Sequence, residues 1–312
     1  MLHSIRLILT QANSSVDYTC RVRVRHPAIC LLAAAVILKM RHKGTALGPL
    51  KPAPLRFLSS LRGKTLAIVL LAMFGLVGGL FTVSWFILMN GFTNIEEDFA
   101  SQNLGRASSA VSNELDTLGR TASEYGAWDQ TYAYLRGKNP SYVRTEFPTS
   151  TFMQLKVNFV IILDASGKKV FSKGFSLVRL EEAQLPRGID EYLKPGSLLA
   201  SHKDESSKTA GILMLPSGPV LIDSHPVVTS NSEGPVAGSM IMGRYLDSDE
   251  ILRLSEIMHI PIEIERLDAT GIRPDFRRAA SSISAQRPVV TSAYDDSSLA
   301  AYGELKDIYG KP

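Results

Sequence analysis

The sequence predicts an α+β protein, and three observations carry that expectation. An uncharged run from Leu66 to Met89 suits a membrane-crossing helix, and an apolar heptad pattern continues the helix beyond it. The remainder alternates short apolar runs with Asp-, Gly- and Pro-containing turns, as antiparallel hairpins do.

At ~1.5 Å per residue the run from Leu66 to Met89 extends ~36 Å, more than a ~30 Å hydrocarbon core requires. Gly75, Gly78 and Gly79 are tolerated there because in lipid the backbone bonds only to itself. Gly75-x-x-x-Gly79 is either a dimer contact or the ordinary glycine content of a membrane helix. Trp85 and Phe86 sit near one end, where aromatic belts form.

Charge sets the expected orientation. Residues 1–64 hold 11 Lys or Arg and one acid, Asp17, so the positive-inside rule makes them a basic cytoplasmic tail. The remainder keeps 23 basic and 29 acidic residues, a balance of −6 although the whole chain carries +4. The basic balance therefore belongs to the tail and predicts no nucleic-acid partner. Cys20 and Cys30 both fall in the tail, so neither disulfides nor thiol chemistry is expected in the exported part. Within the tail, the apolar run Ala28 to Leu38 follows Arg21, Arg23 and Arg25 and is too short to span. It reads as a signal-like core, a surface element, or sequence upstream of the natural start; Gly44 to Pro54 reads as linker.

The expected division is a tail at 1–64, a transmembrane helix at 65–90, a stalk helix at 91–135, a core at 136–265 and a C-terminal segment at 266–312 leading toward a second membrane helix that the sequence lacks. In the stalk, Leu104, Val111, Leu118 and Tyr125 recur every seven residues, with Ser108, Leu115 and Ala122 offset by four. Such a helix either pairs with a twin, giving a homodimer, or packs on its own domain. Val157 to Leu163 and Lys168 to Phe171 flank Asp164-Ala165-Ser166-Gly167 as a first hairpin. Ile212 to Leu215 and Val220 to Ile222 form a second, and Pro226 to Val228 with Val236 to Met242 a third. Leu177 to Leu199 offers short helical stretches broken by Pro186 and Pro195. Asp247 to Met258 reads as a helix capped by Asp247 or Ser248, with Ile251, Leu254 and Met258 on one face, and Pro261 to Glu265 as a further strand. A long helix, a sheet of hairpins and flanking helices make a PAS-like or Cache-like arrangement.

The most distinctive string is Tyr125-Gly126-Ala127-Trp128-Asp129-Gln130-Thr131-Tyr132. On a helix, Tyr125, Trp128, Asp129 and Tyr132 share one side, either as a ligand wall of aromatics around a carboxylate or as an anchor of the helix on the sheet. Arg244, at a strand end, either holds a ligand carboxylate or bridges to Asp129 or Asp247. YGAWDQTY resembles the Y-A-x-W-D-x-x-Y core of the fourth class of CHASE extracellular sensor domains. VNFVIILDASGKKVFS (Val157 to Ser172) looks like its first hairpin, and SHPVVTSNSEGPVAGSMIMGRYL (Ser224 to Leu246) like its H-P-I, G-P, G and G-R segment. The resemblance covers about residues 96–265. It implies a sensor between two membrane helices, feeding diguanylate cyclase, cyclic-di-GMP phosphodiesterase or histidine kinase outputs. The sequence stops at Pro312 without an output module, which predicts a truncated receptor or a subunit acting through a separate cytoplasmic partner.

Catalytic patterns are sparse. Asp223-Ser224-His225 contains triad residue types, but strand neighbours point to opposite faces. His202, His225 and His259 lack metal-ligand spacing, and no phosphate-binding glycine loop, G-G-D-E-F or E-A-L string occurs. The expectation is a membrane-anchored periplasmic or extracellular sensor of a small ligand, not an enzyme, with no cofactor or metal. An anchored scaffold without signalling is the alternative.

Overall fold

A computed structural model describes residues 5–10, 61–232, 234–269, 271–295 and 298–312. The chain divides into two units, residues 14–94 and residues 1–13 with 95–312. The apolar run at 28–38, the linker at 44–54 and the cysteines at 20 and 30 lie outside the described residues.

The first unit is described through the opening part of helix α1, Leu61–Gly126, which runs unbroken into the second unit. Lys64–Ile87 is one helical stretch long and apolar enough to cross a membrane. Its side chains, such as Leu71 at 77% and Phe74 at 77% exposure, have no protein covering.

In the second unit, α1 is followed by three short helices: α2 (Asp129–Leu135), α3 (Tyr142–Glu146) and α4 (Thr149–Leu155). The strands β2 (Phe159–Asp164), β3 (Lys169–Ser176), β4 (Glu181–Ala183), β5 (Thr209–Leu215), β6 (Gly218–Val227) and β7 (Gly238–Tyr245) come next. They form a wholly antiparallel sheet in the order β4-β3-β2-β7-β6-β5. The three expected hairpins are its β2–β3, β5–β6 and β6–β7 pairs.

Both faces of this sheet are covered, which is why its central strands read as nearly continuous apolar runs. On one face Val160, Ile162, Leu221, Met240 and Met242 pack with Leu104, Ala107, Val111, Leu118 and Ala122 of α1. The heptad seam is thus the face that α1 lays on its own domain. The other face buries Phe159, Ile161, Val220, Ile222 and Ile241 under Ile189, Leu193 and Leu199. The covering segment differs from expectation: Glu181–Ala183 is a strand on β3, and only Ile189–Tyr192 forms a helical turn. Leu180 in the left-handed region (φ 56°) reverses the chain into β4, whose exposed Glu181 and Glu182 suit a sheet edge.

Helix α5, Ser248–Met258, starts at Asp247, whose carboxylate accepts the Glu250 N–H at 3.1 Å. Leu254 is buried, with Ile251 and Met258 beside it. The described residues of 266–312, expected as a lead toward a membrane, are folded. α6 (Pro274–Ser282) and β10 (Leu299–Leu305) share a small core of Ile272, Phe276, Ala279, Ala300 and Tyr302, β9 (Val290–Ala293) pairs with β10, and β8 (Ile262–Arg266) gives Ile262 to the main core. Ile308 N–H donates to the Ile212 carbonyl at 2.9 Å, tying this layer to β5.

The second sheet has the order β8-β1-β10-β9, where β1 is Ile5–Thr10, antiparallel to both neighbours. A strand hydrogen-bonded to β8 and β10 lies on the domain's side. A tail at 1–64 across a membrane from the domain would not, so for residues 5–10 the two placements exclude one another.

Candidate functional site

The Tyr125 to Tyr132 segment does not form one helical face. Helix α1 ends at Gly126, where a Cβ would lie 2.9 Å from the Pro226 carbonyl oxygen and the Gly126 carbonyl accepts the Val228 N–H at 3.0 Å. Trp128 is extended (φ −119°, ψ 127°), and α2 begins one residue later. This break separates Tyr125 from Asp129 and Tyr132. Tyr125 meets Trp128 edge-on at 5.6 Å and Phe147 at 5.3 Å, while Trp128 meets Tyr142 at 6.3 Å. The Asp129 carboxylate accepts the Ser230 N–H at 2.9 Å, and the Asp129 N–H donates to Ser230 Oγ at 3.2 Å. The Tyr132 hydroxyl accepts from Arg136 at 3.1 Å. These contacts fasten the segment to α3 and to the β6–β7 turn.

Arg244 sits elsewhere, at the end of β7 and 5% exposed at its side chain. Its partners are not Asp129 or Asp247. It pairs with Glu114 of α1 and, at 3.4 Å, with Glu250 of α5, and its Nε donates to the Lys156 carbonyl at 2.5 Å. Arg253 completes the network, 2.6 Å from both Glu114 and Glu250. Burial pushes the Glu250 carboxyl up, but the hydrogen bonds and charges of Arg253 and Arg244 outweigh it and hold the group below the usual carboxylate range. Hydrogen bonding to Glu250, opposed by burial and reinforced by Glu114, pushes Arg253 up.

Arg244, Glu250 and Arg253 of this network line a cleft of about 730 Å³, within the range of small-molecule sites, while Glu114 is not among its lining residues. Met153, Phe175, Leu177, Val178 and Leu180 supply an apolar wall. Lys156, Asn158, Asp247, Asp249, Glu250 and Arg253 supply the polar one. Asn158 is locked, donating to the Phe175 carbonyl at 3.0 Å and accepting the Tyr245 N–H at 2.9 Å. Of the ligand-binding candidates read from sequence, only Arg244 lines this cleft; Tyr125, Trp128, Asp129 and Tyr132 do not. Glu114, Lys156, Glu250 and Arg253 were missed. The three-residue spacing of Glu250 and Arg253 on a helix just after Arg244 was the available signal.

The triad types separate as strand geometry requires. Asp223 Oδ1 lies 3.0 Å from His225 Nε2 on one face of β6. On the other face the Ser224 hydroxyl donates to the Leu199 carbonyl at 2.7 Å and meets His202 Nε2 at 3.0 Å. With its proton given to Leu199, Ser224 is not set up as a nucleophile toward His202. Burial, with the charge of His225, lowers His202 to about 4. Among the described residues no group of three His, Cys, Asp or Glu is placed to hold a metal.

A family model described as the CHASE4 domain matches residues 110–265, half of the chain. The chain belongs to the CHASE4 family. It is 25% identical over 226 residues to the methanogenesis regulatory histidine kinase FilI of Methanothrix harundinacea (strain 6Ac), a match covering 72% of this chain and 25% of that protein. The chain thus spans about a quarter of that relative's length. Among solved structures, the domain of a sensory box/GGDEF family protein from Vibrio parahaemolyticus aligns at 12% identity and TM-score 0.42, covering 68% of this chain and 96% of that one. The periplasmic sensory domain of the Campylobacter jejuni chemoreceptor Tlp1 aligns at 11% identity and TM-score 0.35, covering 70% and 95%. The CHASE4 match takes in the aromatic segment, Glu114 and the cleft residues from Met153 to Arg253.

Proposed function

We propose that this CHASE4 domain is the extracytoplasmic input unit of a membrane-anchored receptor and senses a small molecule in the cleft beside Arg244. One observation carries the reading: the guanidiniums that line the cleft also grip Glu114 on α1, so occupancy has a direct route to the helix that continues into the apolar stretch. Signalling would then be a population shift, the ligand favouring one arrangement of α1 over another. The histidine kinase relative suggests a cytoplasmic kinase output, on this polypeptide or on a partner. Because the heptad face is used internally, a homodimer would meet through the face carrying Gln102, Arg106, Ser109 and Asn113.

The test is a thermal-shift screen of the full chain in detergent against amino acids, polyamines, organic acids and nucleotides. A compound that raises the midpoint, and fails to do so in a folded Val178→Trp variant with the cleft filled, supports the reading. A folded protein that responds to nothing in the panel would overturn it in favour of a scaffold role.

A further inference from the structure

Hydrogen-bonding capacity in the cleft is unevenly spent. Arg244 is fully engaged: Nε and one terminal nitrogen bond the Lys156 and Leu155 carbonyls, and the other terminal nitrogen bonds the two glutamates. Arg253 gives Nε and Nη2 to Glu250, and Nη2 also to Glu114, while its Nη1 has no partner among the described residues. Lys156 lines the cleft, and its ammonium has no ion pair among the described residues. On the acidic side, Glu250 is held by two arginines and one Asp247 oxygen is occupied as the α5 cap, while Asp249 has no ion pair among the described residues. The unspent donors are the Arg253 Nη1 and the Lys156 ammonium, two cationic groups against the one unpaired carboxylate of Asp249. Facing them, Val178 and Leu180 are 65% and 57% exposed and Met153 40%, apolar surface that nothing in the fold covers.

Taking the cleft as the sensory site, we propose that its ligand is a small organic carboxylate with an apolar body, and that this carboxylate competes with Glu114 for Arg253. The apolar body covers Met153, Val178 and Leu180. The carboxylate bonds Lys156 and the open end of the Arg253 guanidinium, a charge-assisted contact of the same kind that Glu114 makes from the opposite side. Drawing Arg253 toward the cleft loosens α5 from α1 at Glu114. Linkage is reciprocal, so weakening the Glu114 grip strengthens the ligand's.

Calorimetric titration of the full chain in detergent tests this with hexanoate and phenylacetate, using hexylamine and hexanol as matched bodies without the carboxylate. The expected result is binding of the acids alone, lost in Lys156→Ala. In Glu114→Gln, which keeps shape and removes charge, the acids bind about fivefold tighter or more. If that variant does not fold, Glu114→Asp, one methylene short of bridging both arginines, gives the same comparison. Glu114 lies outside the cleft, so a merely structural role would weaken binding or leave it unchanged, and either result overturns the competition. Binding of hexylamine or hexanol in preference to the acids, abolished by Val178→Trp, overturns the carboxylate assignment while leaving the sensory site standing. No binding of either acid to folded wild type and folded Glu114→Gln overturns the inference, and the broader screen then decides the sensory reading separately.

Discussion

Asp129 and His202 show how one side chain can be tested apart from its neighbours. Asp129 is exposed and its two bonds to Ser230 fasten the start of α2 to the β6–β7 turn. Asp129→Ala is expected to cost about 0.5–1.5 kcal/mol in denaturant unfolding and to leave ligand affinity unchanged. A ligand-affinity loss at constant stability would restore it as a binding residue. His202 sets a pH dependence. Its imidazole titrates near 4 in the fold, below the usual 6.5, so the unfolded chain takes up the proton first. Its contribution to stability is whole above pH 6.5 and is lost as the pH falls from 6.5 toward 4. The thermal midpoint should fall less steeply across that window in His202→Gln than in the wild type. Equal slopes would mean that His202 is not held neutral.

Helix α1 and the sheet strands carry the next scale. Leu118 is 2% exposed and packs on the sheet, so Leu118→Ala should cost about 2–5 kcal/mol. The loss should not depend on protein concentration; a concentration-dependent midpoint would return the heptad seam to a dimer interface. The hairpins, the α5 cap and the heptad face could be read from the sequence because each is a local pattern. A seven-residue period shows that a helix has a buried side, yet it carries no information about whether a twin or a sheet buries it. The aromatic string misled for a related reason: the break comes where Gly126 lies against the Pro226 carbonyl and bonds Val228, a hundred residues away in sequence. The cleft and its link to α1 were illegible because Glu114, Lys156, Arg244 and Arg253 come from four separate elements. No spacing rule joins them, and only Arg244 stood at a strand end where a charged group attracts notice.

At the scale of the molecule, the position of residues 5–10 separates two topologies. Cys20 and Cys30 are the chain's two cysteines and lie between β1 and the apolar stretch. If residues 1–64 are cytoplasmic, a membrane-impermeant thiol reagent applied to intact spheroplasts should leave both unlabelled until the cells are opened. Labelling of Cys20 before lysis would place the β1 segment with the domain. The main sheet also has a history written into its order. Apart from β2 beside β7, every neighbouring pair in it is consecutive along the chain, so two local meanders, β2–β3–β4 and β5–β6–β7, meet at one seam. Gly238 and Gly243 line that seam, where an added Cβ would fall 1.9 Å from the Leu163 carbonyl oxygen and 2.0 Å from the Phe159 ring. Closing it joins strands more than seventy residues apart, the costliest loop closure in the sheet. The meanders can form while the chain is still being made, but the cleft beside Arg244, walled from both, comes into being only when the seam zips shut.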